Sequence, residues 1–192
     1  MPLTIPGPAG NDVVLDPQPG APIVVVGRNG SGKSALSSFL HTRLGQDVNR
    51  ILSYRRLWLE SSAASLTGQD RQMWDSNFQH WDARPESRWR DQNDQARLAA
   101  LLYDLLHKQA FVDSEIARTV RSGASVDGLA LDGPLELLNG ILDAASLPIS
   151  LFVDSEGSLM CRNASGTAYS AAEMSDGEKA ALVLVSDVLI AK

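Results

Sequence analysis

The segment Gly27-Arg28-Asn29-Gly30-Ser31-Gly32-Lys33-Ser34 constrains this chain more than any other stretch of it. It fits the pattern G-x-x-x-x-G-K-[ST] at every position. Glycines in such a loop let the backbone curl until successive N–H groups converge on an anion. Just before it, Pro22 to Val26 is a continuous apolar, mostly β-branched run. That is the pattern of a strand buried on both faces of a parallel sheet. Just after it, Leu36, Phe39, Leu40 and Leu44 recur at helical spacing, and Gly45 follows as a C-terminal cap. Strand, glycine-rich loop and helix in that order predict a cradle for the phosphates of a nucleoside triphosphate. Lys33 would reach the β- and γ-phosphates, and the Ser34 hydroxyl would ligate Mg²⁺. Arg28, Asn29, Gly30, Ser31, Gly32 and Ala35 would complete the cradle around the positive end of the helix.

Composition bounds the rest. With 192 residues, 44% apolar and 21% charged, the chain can bury a core, and disordered or fibrous classes are excluded. A net charge of −6 excludes a generally basic surface for nucleic acid, though not a local basic patch. The single cysteine, Cys161, excludes an internal disulfide framework and gives no basis for a zinc site. The Pro/Gly-rich start, Met1 to Gly20, does not read as a signal peptide. The apolar stretch Ala180 to Ala191 is broken by Ser186 and Asp187 and falls short of the roughly 20 residues that span a bilayer. These features predict a cytoplasmic protein without membrane contact.

Along the chain, Leu3 to Ile5 and Val13 to Leu15 read as short strands around a Pro/Gly turn, and Val48 to Tyr54 as a further strand. Between Arg55 and Arg90 lie Trp58, Trp74, Trp81 and Trp89 with six of the thirteen arginines. Glu60, Asp70, Asp75, Asp82 and Glu86 bring that segment near neutrality, which favours packing or partner contact over base stacking. Trp89 to about Ala110 reads as an amphipathic helix with Leu98, Leu101, Leu102, Leu105 and Leu106 on one face. Asp113 can cap a second helix ending at Gly123, and Asp132-Gly133-Pro134 opens a third running to about Ala145. Ile149 to Asp154 and Ser158 to Arg162 read as a hairpin, and Ser175 starts the last helix. The predicted fold is α/β, with a parallel or mixed sheet core and an inserted helical subdomain. Residues 1–54 form the nucleotide-binding lobe, 55–147 the helical insert, and 148–192 a hairpin and helix returning to the lobe.

A second motif precedes the last helix. Ser175 and Glu178 have the spacing of a capping box, in which each satisfies a free N–H of the other. Met174-Ser175-Asp176-Gly177-Glu178 also resembles the signature motif of ABC-type ATPases, usually Leu-Ser-Gly-Gly-Gln and commonly ending in Glu in the DNA-repair branch. Together with the phosphate loop, it makes the chain resemble the head of a soluble ABC-type ATPase of the SMC-like, OLD-like or AAA-family kind. That resemblance implies a P-loop NTPase fold with ATP and Mg²⁺ as cofactors. It implies a homodimer of heads, each ATP lying between the phosphate loop of one and the signature motif of the other. Ser175, Asp176, Gly177 and Glu178 would then face the phosphate held by the partner's Lys33. Asp176 departs from the family's glycine; its carboxylate would repel that phosphate unless it points away or is paired, and it is read as outward-facing. The resemblance also implies hydrolysis coupled to a DNA-repair or antiviral-defence effector such as a nuclease, and leaves nucleic-acid binding open. The lack of an aromatic residue before Phe39 points away from transporters, many of which stack adenine on one.

One part of the family's machinery has no counterpart here. The acidic strand carrying the catalytic Glu should follow the signature helix, and the chain reaches Lys192 first. Leu151-Phe152-Val153-Asp154 ends in Asp, but Ser155 follows and the order relative to the signature is wrong. It reads as an ordinary strand end. The catalytic base is therefore unassigned, and the expectation is the N-terminal portion of a larger ATPase that binds nucleotide without efficient turnover. Arg55 and Arg56 stand near the position of the family's Mg²⁺-sensing Gln, and no role is carried to them. Two rival readings are a small P-loop kinase with Asp154 near Mg²⁺, and a non-hydrolysing nucleotide-gated scaffold. Arg88 and Arg90 read as solvated, and His41, His80, His107 and Cys161 as structural.

Overall fold

The computed structural model describes residues 2–5, 7, 10–18, 20–28, 30–44, 59, 61–88, 93–125 and 132–190. The chain divides into two compact units. One comprises residues 1–48 and 81–91 and is called here the loop unit; the other, 49–80 and 92–192, is the core unit.

In the loop unit, β1 (Leu3–Ile5) and β2 (Val13–Leu15) pair antiparallel, with Leu3 opposite Leu15 and Ile5 opposite Val13. Their connection needs glycine at two points. Gly10 has φ +80°, and any Cβ on Gly7 would collide with the Asn11 carbonyl. Helix α1 (Lys33–Leu44) packs against a 3₁₀ turn at Pro85–Arg88. Among the described residues, the side chains buried in this unit are polar: Ser38, Asp82 and Ser87. The Ser87 hydroxyl donates to the carbonyls of Arg84 (2.8 Å) and Asp82 (3.2 Å), and the Arg84 guanidinium lies 5.6 Å from the Trp81 ring centre.

The run Pro22–Val26 does not form the expected buried strand. It joins no sheet among the described residues, and Ile23, Val24, Val25 and Val26 are between 49% and 85% exposed. A parallel strand is buried only when neighbouring strands and covering helices surround it, and an apolar run alone cannot supply them. Every sheet among the described residues is antiparallel, so in place of the expected parallel or mixed sheet core the fold is mixed α/β with small antiparallel sheets. The expected strand Val48 to Tyr54 and the cap at Gly45 lie outside the described residues.

The core unit is built on four helices and a sheet. α2 (Gly68–Asp82), whose last two residues belong to the loop unit, starts where the Thr67 hydroxyl donates to Asp70 (2.7 Å) and accepts from the Asp70 N–H (3.2 Å). From α2, Arg71 reaches Asp104 at 2.6 Å and Asp75 at 2.5 Å. α3 (Asp94–Arg121) is one helix of 28 residues where two were expected. No Gly or Pro occurs between Asp94 and Arg121 to break it. Asp113 does not cap a new helix; it accepts from the Gln109 amide one turn back at 3.0 Å. The expected stop does operate, with Gly123 at φ +72°.

α4 (Pro134–Ala144) has Gly133 at its N-cap, which offers no side chain. Gln109 of α3 supplies the missing acceptor, taking the Leu135 N–H at 3.1 Å. A Cβ on Gly133 would stand 2.5 Å from that same Gln109 oxygen, so glycine there is what lets the two helices exchange this bond. The sheet runs β3 (Ile149–Val153), β4 (Leu159–Asn163) and β5 (Ala168–Ser170), all antiparallel, and β5 was not anticipated. Asn139 of α4 blunts the free edge of β3, accepting the Leu151 N–H (2.7 Å) and donating to its carbonyl (2.9 Å). α5 (Asp176–Ile190) closes the core. Leu102, Leu105 and Leu106 of α3, Leu135, Leu138 and Leu142 of α4, and Leu182 and Ile190 of α5 meet Ile149, Leu151, Leu159 and Cys161 of the sheet. The spacing in each helix and the alternation in each strand place these residues on one face.

Candidate functional site

The phosphate loop has its geometry from glycine. Gly30 and Gly32 lie at φ +80° and +88°, in the left-handed region that other residues avoid. A Cβ on Gly27 would stand 2.5 Å from the Ser31 hydroxyl oxygen. The Ser31 N–H donates to the Arg28 carbonyl (3.1 Å), closing a turn, and the Leu36 N–H donates to Gly32 (2.9 Å), starting α1. Lys33 is the first residue of that helix. Its ammonium folds back over the loop and donates to the carbonyls of Gly27 (2.7 Å) and Arg28 (2.8 Å). An ammonium has three donors, so one remains for an anion. Ser34 and Ala35 follow in the first helical turn, both exposed, as is Arg28. Asn29 lies outside the described residues.

The second motif belongs to the core unit and is the capping box its spacing predicts. The Ser175 N–H and hydroxyl both donate to Glu178 Oε2 at 2.7 Å, and the Glu178 N–H returns to the Ser175 oxygen at 3.4 Å. Asp176 and Gly177 are exposed, and a Cβ on Gly177 would meet open space. Met174, 3% exposed, pins the segment to the core. Two features escaped sequence reasoning. A first capping box precedes the second: Ser170 accepts from Ala172 (3.2 Å), and its N–H donates to Glu173 (3.1 Å). The same S-x-x-E spacing announces both. The Tyr169 hydroxyl, from β5, donates to Glu178 Oε1 at 3.4 Å, a contact with no local sequence signal.

The electrostatics follow from these contacts. The Ser175 hydroxyl, opposed by partial burial and helped by the Ser175 N–H and Tyr169, holds the Glu178 carboxyl below its ordinary value. Burial, then the Glu178 charge, raises the Tyr169 phenol. Burial, reinforced by Glu178, pushes the fully buried Cys161 thiol up to about 12, which leaves it without thiolate chemistry at neutral pH.

Several other residues weighed as sites are otherwise engaged. Asp154 accepts from the N–H groups of Glu156 and Ser158, both at 2.9 Å, and so shapes the β3–β4 turn. His107 is exposed and stacks on Tyr103 at 5.6 Å, and His80 is exposed. His41 is half-buried in α1. Trp74 stacks on Phe78 at 5.5 Å, and Arg97 lies over the same Phe78 ring at 4.5 Å. Trp58, Trp89, Arg55, Arg56 and Arg90, and the Arg88 side chain, lie outside the described residues. Among the described residues no three His, Cys, Asp or Glu side chains are grouped to hold a metal ion, and no helix is long and apolar enough to cross a membrane. The chain matches no protein-family model, no curated protein and no solved structure.

Proposed function

We propose that this chain binds a nucleoside triphosphate with Mg²⁺ and acts as the ATP-binding head of an ABC-type ATPase with a P-loop NTPase fold. The observation that carries the reading is the loop at 27–35. Gly30 and Gly32 turn it, α1 starts directly behind it, and Lys33 bends over it with one donor free. Backbone N–H groups and the helix start would hold the phosphates, Lys33 would neutralise the β- and γ-oxygens, and the Ser34 hydroxyl would ligate Mg²⁺. In the dimer of heads, Ser175 and the start of α5 of a second copy would meet the γ-phosphate: a hydroxyl and a helix N-terminus turned toward an anion. Exposed Asp176 must keep its charge clear of that contact. Hydrolysis in the whole protein would be in-line attack by water, driven by positioning and charge neutralisation. Its control of a DNA-repair or defence effector is part of the same proposal.

Titration calorimetry with MgATP tests the loop. Lys33→Ala abolishes binding on this reading, and unchanged affinity overturns it. Ser175→Arg keeps the affinity and blocks MgATP-dependent self-association measured by sedimentation velocity. Loss of folding in that variant would leave the capping role alone.

A further inference from the structure

We propose that Tyr169 is a positioning residue for the contact between the Ser175–Glu178 motif and the phosphate held by a second copy; this rests on the head-to-head reading above. The motif carries one hydroxyl suited to donate to a phosphate, Ser175, and two carboxylates, of Asp176 and Glu178, that would repel one. Asp176 is exposed and free to turn outward. Glu178 is half-buried, one helical turn from Ser175, and its carboxylate must be held in place. Two attachments hold it. Oε2 takes both donors of Ser175, at 2.7 Å each. Oε1 takes the Tyr169 hydroxyl at 3.4 Å.

The two attachments are not equivalent when a phosphate arrives. The Ser175 hydroxyl has a single proton, so donating to phosphate means releasing Glu178. The carboxylate then keeps the Ser175 N–H on one oxygen and Tyr169 on the other. Tyr169 sits on β5 directly opposite buried Cys161 of β4, so its backbone is fixed by the sheet rather than by the helix it serves. With Tyr169 in place, Glu178 stays turned toward β5 while Ser175 switches partner. Without it, the carboxylate is held from one side only and is free to swing toward the incoming charge.

Tyr169→Phe in the full chain tests this, because it keeps the ring and removes only the hydroxyl. Three quantities are measured: the melting temperature, MgATP affinity by calorimetry, and MgATP-dependent self-association by sedimentation velocity. The expected result is an unchanged melting temperature and MgATP affinity, with self-association weakened roughly three- to tenfold, the effect of one hydrogen bond. In a Glu178→Gln background, where the charge is gone, the same substitution changes self-association no further. Self-association that is unaltered by Tyr169→Phe yet abolished by Ser175→Arg overturns the role of Tyr169 and leaves the head-to-head reading standing. A melting temperature that falls together with self-association reduces Tyr169 to a packing residue and equally overturns it. If the unsubstituted chain does not self-associate with MgATP, the head-to-head reading fails and this inference with it.

Discussion

The two units of this molecule are stabilised in different ways. Among the described residues, every buried apolar side chain belongs to the core unit, from Leu98 to Ile190. The loop unit buries Ser38, Asp82 and Ser87, and exposes its most apolar run, Ile23 to Val26. The phosphate loop lies in the second kind of environment, and the difference teaches why it can. The glycine-rich loop is made of a short turn, two left-handed glycines and a helix start, all within ten residues of chain. It needs local geometry and no core. The core unit shows the opposite economy. Three helices and a sheet share one cluster, and polar bonds tie separate elements together: Arg71 to Asp104, Gln109 to Leu135, Asn139 to Leu151.

The sharpest way to test that contrast is a cavity. Leu138 is fully buried at the centre of the core cluster, and Leu138→Ala should destabilise the protein by about 2–5 kcal/mol in urea unfolding. A loss below 1 kcal/mol, on the order of a surface substitution, would break the comparison from the core side. Asn139→Ala comes next. It strips both partners from the Leu151 peptide groups and should cost about 1–3 kcal/mol, and it should raise the tendency to aggregate by baring the edge of β3.

A smaller effect depends on pH. Half-buried Asp187, with burial outweighing the nearby charge of Arg97, has its carboxyl raised to about 6 from an ordinary 3.8. The folded state therefore binds this proton more readily than the unfolded chain. Its contribution falls as pH rises from about 4 to about 6 and is level above that. Asp187→Asn should raise the melting temperature at pH 7.5 and leave it unchanged near pH 3.5; an equal gain at both would remove the titration from the account. The smallest effect belongs to the loop unit. Val24 is 77% exposed, and Val24→Ala should change stability by less than about 0.5 kcal/mol. A loss of 1 kcal/mol or more would mean that the run is covered, and the contrast between the units would close.

Much of the local structure was legible because its causes are local. The β1–β2 hairpin, α1, the start of α4 at Pro134, the β3–β4 hairpin and the cap at Ser175 all follow from turn residues and spacing within a few positions. Where reading failed, a non-local condition decided. Asp113 is of a residue type favoured at an N-cap, as is Thr67 before α2, yet α3 runs through it because nothing upstream breaks the helix. β5 is three residues long and is defined by its partner Met160 to Arg162, not by its own pattern. Pro22 to Val26 has the composition of a central strand and none of the neighbours. Within the candidate site, the Ser175–Glu178 bond was readable from a three-residue interval, whereas Tyr169 was not, since a strand brings it to Glu178.

The sequence by itself determined the shape of the phosphate loop. Gly30 and Gly32 make its positive φ values accessible without strain, and the helix starts at the lysine directly behind them. It also determined which faces of α3, α4 and α5 are apolar, because helical periodicity is set residue by residue. Only the tertiary structure decided what those faces meet, which strands pair and in which direction, and which side chain holds Glu178. Pairing and packing are satisfied between segments distant in the chain, and no interval of sequence carries that information alone.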